Sequence, residues 1–277
     1  MFAPNLSMLL VSFISALVYS GQVGYVVQKV NELLHWKLGC NPTPPVGNVS
    51  LHYFNGRGKS EAIRLLMEDH NIPYTETKYT QELWRNAQPL GIEDGLYHFG
   101  EIPSIETIKG VRLSKRKSIL HFIGRSVGLD CDCHEIDWCD MVATAVDDLQ
   151  KQLENTVFTQ PKFDPFIRDS YAKNILIPWL GYFEKLPESK DTNYEDEIYF
   201  AGGRLTWLDY SIFDMLESNC NLLDYTEGWD IPSHLNCSTV FEMFPRLDRH
   251  YNTFKSRLNI HEYINSERRT SYGPPFW

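Results

Sequence analysis

Apolar and polar residues alternate from Val49 to Phe54 among side chains that favour extended backbone, which predicts a strand. Asn55-Gly56-Arg57-Gly58 closes it as a turn. Ala62, Ile63, Leu65, Leu66 and Met67 then recur on a helical period within Ser60 to His70. Tyr74 to Tyr79 predicts a second strand, and the stretch with Pro89, Gly91, Gly95 and Gly100 reads as loop. Ile102 to Ile108 predicts a third strand, Lys109-Gly110 a tight turn, and Val111 to Leu113 a short returning strand. Ser118 to Val127 predicts a helix that stops at Gly128. The order βαβ and then ββα predicts a mixed sheet with helices on its faces.

Strand patterns almost vanish beyond that point. Helical periods cover Ile136 to Leu153, Asp164 to Phe183, Leu208 to Cys220, Pro245 to Arg257 and Ile260 to Asn265. Thr206, with Asp209 three residues on and an apolar helix following, is a capping box. The pattern therefore divides the chain into an α/β domain over 49–128 and an all-helical domain over 129–277.

Two segments precede these domains. Met8 to Tyr19 is apolar apart from Ser12 and Ser15, Ser20-Gly21 follows, and Val18 and Ser20 are the small residues a signal peptidase needs. That length suits a signal-peptide core over residues 1–20 and is short for a spanning helix. An uncleaved anchor and a soluble N-terminal helix are the alternatives. Val26, Val27, Val30, Leu33 and Leu34 predict a helix within 21–40, and Asn41 to Gly47 reads as a Pro-rich linker up to residue 48.

Charge and composition narrow the function classes. The 277 residues carry 26 Lys+Arg against 36 Asp+Glu, a net charge of −10, so nucleic acid is an unexpected partner. Lys115-Arg116-Lys117 is the one basic cluster, too small for such a site. A mean hydropathy of −0.34 leaves room for at most one membrane segment, the N-terminal one. Six cysteines are compatible with an oxidising compartment, which a signal peptide would imply: secretion or the endoplasmic-reticulum lumen. The alternatives are membrane anchorage, or the cytoplasm if the leader is no signal. Cys131, Cys133 and Cys139 lack the paired spacing of a metal site and read as surface or core cysteines, with disulfide connectivity left open. Asn48 and Asn236 head glycosylation sequons, as does Asn5 inside the leader.

Four ordered landmarks carry a resemblance. They are Leu51-His52-Tyr53-Phe54 running into Asn55-Gly56-Arg57-Gly58-Lys59-Ser60-Glu61-Ala62-Ile63-Arg64, Phe99-Gly100 before Ile102-Pro103, Phe200-Ala201-Gly202 through Thr206-Trp207-Leu208-Asp209, and Phe244-Pro245-Arg246-Leu247. Over about 49–270 the chain resembles glutathione transferases of the sigma and mu classes, including those like haematopoietic prostaglandin D synthase. The resemblance implies a thioredoxin-like first domain, an all-helical second domain and a homodimer, with glutathione as co-substrate and no further cofactor.

It also implies roles for particular residues. Tyr53 would be the hydroxyl donor to the glutathione thiolate, the catalytic group. Lys59 stands where many sigma enzymes have an arginine near that tyrosine. Trp84 would touch the glycyl end, with Gln88 replacing the usual lysine. The Ile102 backbone would pair with the cysteinyl moiety, and Pro103 would be cis. Lys115 and Arg116 stand where the family has Gln-Ser to hold the γ-glutamyl carboxylate, so the serine hydroxyl is lost. Glu101 brings a carboxylate to the same pocket. Asp147, followed by Asp148, would reach the glutathione amino group across the dimer interface. Thr144, where a metal-binding relative has a third aspartate, implies no metal site. Phe99 would key into the partner subunit. The expected activity is attack of glutathione thiolate on an electrophilic small molecule, extending to prostaglandin-type isomerisation. The alternative is a secreted, non-catalytic binding or structural protein with a degenerate glutathione site.

Overall fold

The computed structural model describes residues 45–132, 134–158, 164–186, 199–225 and 235–270. These all lie in one unit, Thr43–Trp277. The leader, the helix expected within 21–40 and all but the end of the linker fall outside the described residues.

The first domain is a four-stranded sheet in the order β2-β1-β3-β4. Strand β1 (Val49–Phe54) buries Val49 and Leu51 and leaves the intervening residues partly open, as alternation requires. It pairs in parallel with β2 (Tyr74–Tyr79) across helix α1 (Glu61–Asp69), and antiparallel with β3 (Ser104–Thr107). Strand β4 (Arg112–Ser114) returns antiparallel to β3 and feeds α3 (Arg116–Ser126). The mixed sheet with α1 and α3 packed on it is the arrangement expected from the sequence.

In the first domain one element corrects the sequence reading. The stretch read as loop contains α2, Gln81–Glu93, with Pro89 inside it. Thr80 caps its N-terminus by accepting from the Leu83 N–H at 3.2 Å. Gly91 lets the ring of Tyr97 lie against the helix, because a Cβ there would sit 2.0 Å from that ring. The proline and glycine that signal a loop locally are here packing residues.

The second domain is helical throughout its described residues: α4 (Ile136–Phe158), α5 (Pro165–Tyr171), a π-turn over Ala172–Leu176, α6 (Ile177–Glu184), α7 (Trp207–Asp224), α8 (Cys237–Phe241), α9 (Pro245–Lys255) and α10 (Leu258–Ile264). Helix α7 is its axis, buried nearly all round from Trp207 to Leu223. Its capping box forms as expected. The Asp209 carboxylate accepts from the Thr206 N–H at 2.8 Å and the Thr206 hydroxyl at 3.0 Å, and also from the Phe200 N–H at 3.2 Å. Two disulfides, Cys131–Cys139 and Cys220–Cys237, tie the approach to α4 to that helix and α7 to α8. The Ile102–Pro103 bond is cis.

Buried ion pairs weld the domains. Glu61 of α1 accepts from Arg64 at 3.0 Å and from Arg269, beyond α10, at 2.7 Å; Arg269 also reaches Glu217 of α7 at 3.0 Å. Asp69, at the end of α1, accepts from Arg257 and from the Tyr210 hydroxyl of α7.

Candidate active site

Tyr53 is the penultimate residue of β1. The turn after the strand folds back over its ring, and the Lys59 backbone N–H donates to Tyr53 Oη at 2.9 Å. Gly58 makes that closeness feasible. It holds φ +40°, and a Cβ there would sit 2.5 Å from the hydroxyl. Among the described residues the phenolic proton has no acceptor. Burial pushes the phenol up to about 12, the Lys59 N–H opposes the rise and the Glu154 carboxylate adds to it. At neutral pH the group is therefore a protonated hydroxyl with one accepted bond and one bond left to donate.

The β1–β3 ladder stops at the pair His52–Ser104, so Tyr53 and Ile102 both lie just past its end. Among the described residues the Ile102 N–H and C=O form no hydrogen bond. The chain on either side of Ile102 is pinned. Gln88 Nε2 donates to the Gly100 carbonyl at 2.6 Å, and the Lys115 N–H donates to the Pro103 carbonyl at 3.2 Å. Gln88 is thus committed to the loop. Trp84 is buried among Phe54, Tyr79 and Tyr97, with ring centroids 4.9 to 6.0 Å away.

The β4–α3 junction departs most from the sequence reading. Lys115 precedes α3 at φ +75°, a left-handed conformation costing a non-glycine residue about 1–3 kcal/mol. Its ammonium meets Glu101 and lies 5.5 Å from the Phe99 ring centroid. Arg116 does not stand at the helix start as a cation open to a ligand. It is buried, and its guanidinium turns into the helical domain to Asp147, Gln150 and Asp214. An uncompensated guanidinium could not stay buried, and these acceptors draw it inward. Asp147 is correspondingly paired within its own chain. Asp214 is buried, and burial pushes its carboxyl up to about 6 against the pull of Arg116.

Lys59 is half exposed and its ammonium pairs with Glu154 of α4 at 3.2 Å. Glu154, Gln150 and Asp214 were not singled out in the sequence. Asp214 sits on the uniformly buried α7, where an aspartate beyond the capping Asp209 is itself a signal; Glu154 and Gln150 sit in a polar helical run that offers none. Phe99 is 69% exposed. Among the described residues no group of three His, Cys, Asp or Glu is arranged to hold a metal ion, and no helix is long and apolar enough to cross a membrane.

Known proteins bear on this arrangement. A family model described as "Glutathione S-transferase, C-terminal domain" matches residues 147–267. The chain is 29% identical over 231 residues to "Glutathione S-transferase" of Plasmodium falciparum (isolate 3D7), covering 81% of this chain and 99% of that protein. It is 27% identical to "Glutathione S-transferase P 1" of Xenopus laevis, covering 79% of this chain and 92% of that one. A solved pi-class glutathione S-transferase of Onchocerca volvulus shares the fold, with a TM-score of 0.62 at 22% identity over 78% of this chain and 91% of that structure.

Proposed function

We infer that the chain belongs to the glutathione S-transferase family, and we propose that it is a glutathione transferase with Tyr53 as its catalytic hydroxyl. One observation carries the reading: a protonated phenol, held from one side at 2.9 Å, offers its hydrogen just past the end of a ladder where the Ile102 backbone is unpaired. An extended peptide thiol fits there, with its backbone on Ile102 and its sulfur at Tyr53. The thiol proton leaves to water, and the O–H of Tyr53 donates to the thiolate and stabilises it. The sulfur lone pair forms the new bond to an electrophilic carbon, whose leaving group or π-electrons depart. Prostaglandin-type isomerisation is a finer extension of the same chemistry. Relatives that carry a class in their names are P and alpha, and the sigma and mu likeness rests on the four sequence landmarks alone.

A homodimer suits the surface. Phe99 is exposed on the first domain, and α4 and α6 of the second flank an apolar cavity of about 190 Å³ lined by Met141, Val142, Ala145, Trp179, Tyr182 and Leu186. A phenyl ring from a second copy matches that socket in size and chemistry. Two disulfides among the described residues support folding in an oxidising compartment, and with the apolar leader they support secretion.

A second reading has its own observation. Lys115 is neutralised by Glu101 and Arg116 by Asp147 and Asp214, so neither is free for a ligand carboxylate. On that reading the scaffold binds partners without catalysis. Retention on immobilised glutathione with elution by free glutathione supports the transferase; passage through the column with the fold intact supports the second reading.

A further inference from the structure

The charged groups around Tyr53 come from four elements. Arg64 of α1 is held by Glu61 and Glu76, and Arg116 of α3 by Asp147 and Asp214, so both cations are already compensated. Lys59, in the turn that grips the hydroxyl, is paired with Glu154 of α4 at 3.2 Å. That pair spans the two domains next to the turn that holds the Tyr53 hydroxyl, and its carboxylate is one third exposed and its ammonium half exposed, so it is open to approach from solvent.

We propose that Glu154 is a positioning and tuning residue of the transferase site: through Lys59 it fixes the turn that donates to Tyr53, and its charge makes an anion at that hydroxyl harder to form. This rests on the transferase reading. Glu154 pairs with the residue whose backbone N–H holds the Tyr53 hydroxyl, and a negative charge so near disfavours another anion at that hydroxyl. It also occupies the lysine that would otherwise favour the anion. The pair therefore holds the site less acidic than the tyrosine and lysine alone would make it. Electrophiles carrying a carboxylate near the reacting carbon meet the same repulsion, so neutral electrophiles are preferred.

The test separates this from the transferase reading. A difluorotyrosine placed at position 53, more acidic than tyrosine, is titrated by fluorine NMR in the full chain without glutathione. Glu154→Gln lowers its midpoint by about half a unit or more, roughly a threefold change in the ionised fraction. Lys59→Met, which keeps the backbone donor and leaves Glu154 uncompensated, raises it. A midpoint that Glu154→Gln leaves unmoved or raises overturns the proposal. With natural Tyr53, the pH profile of kcat/KM for transfer moves to lower pH in Glu154→Gln, and a carboxylate-bearing electrophile gains more than a neutral one. An unmoved profile likewise overturns it. A shifted midpoint in a protein that glutathione columns do not retain keeps the charge pair and sinks the transferase reading instead.

Discussion

A phenol that accepts one backbone N–H and is pushed up to about 12 keeps its proton at neutral pH and has it to donate. Tyr53→Phe removes that donor without opening a cavity. It is expected to keep the fold and glutathione retention and to lower conjugation rate by about 10–1000-fold, as loss of one anion-stabilising donor does. Steady-state kinetics at saturating glutathione check this, and unchanged turnover would remove Tyr53 from the mechanism. Asp214 supplies a second prediction at this scale. Its folded carboxyl titrates near 6, above its unfolded value, so the folded state binds the extra proton between about pH 4 and 6. Its contribution to stability is fully present below that window and falls as pH rises through it. Asp214→Asn should therefore become more stable relative to the natural protein as pH rises from about 4 to 6, read as the difference in urea midpoint at each pH. A difference that is flat across the window would show that Arg116 keeps Asp214 ionised throughout. The place of Tyr53 at the end of β1 was legible because the motif around it is local in sequence. Arg116 was legible as a departure but not in its role, since its acceptors lie on helices distant in sequence and nothing in the basic triplet says which way a guanidinium turns.

Elements were legible where one periodicity ruled. Strand β1 was read with the bounds it has, and α9 and α4 begin where expected, because alternation and capping act within a few residues. Helix α2 was missed because Pro89 and Gly91 are loop signals locally, and only the packing of Tyr97 against Gly91 explains the glycine. The span Asp164 to Phe183, read as one helix, is interrupted by a π-turn that its apolar pattern does not betray. The capping box on α7 was legible and its burial was not, and burial sets its energetic weight. Asp209→Ala would strand the Thr206 N–H, the Thr206 hydroxyl and the Phe200 N–H in a dry interior. The expected cost is about 2–4 kcal/mol, beyond the roughly 1 kcal/mol of an exposed cap. Chemical denaturation measures it, and a loss below about 1 kcal/mol would mean that water or a rotated Thr206 satisfies the donors.

The whole molecule joins two domains through buried charge, with Arg269 clamped between Glu61 and Glu217, and leaves apolar surface open elsewhere. Phe99, 69% exposed, and the socket between α4 and α6 belong to different domains of the chain, and each leaves water only when something else covers it. A second copy related by a two-fold axis covers both at once, since each chain would offer one ring and one socket. A central aromatic anchor of that kind can carry several kcal/mol of an interface. The expected result is a dimer of the natural protein at micromolar concentration in light scattering. Phe99→Ala should weaken association by at least about tenfold, the effect of 1.4 kcal/mol, while circular dichroism stays unchanged. Filling the socket from the other side tests the same contact independently. Ala145→Trp places an indole in the cavity and should reproduce the loss of dimer without touching Phe99. If both variants keep the mass of a dimer, the ring and socket are not the interface; if the natural protein is monomeric, Phe99 is a surface residue beside the Lys115 ammonium.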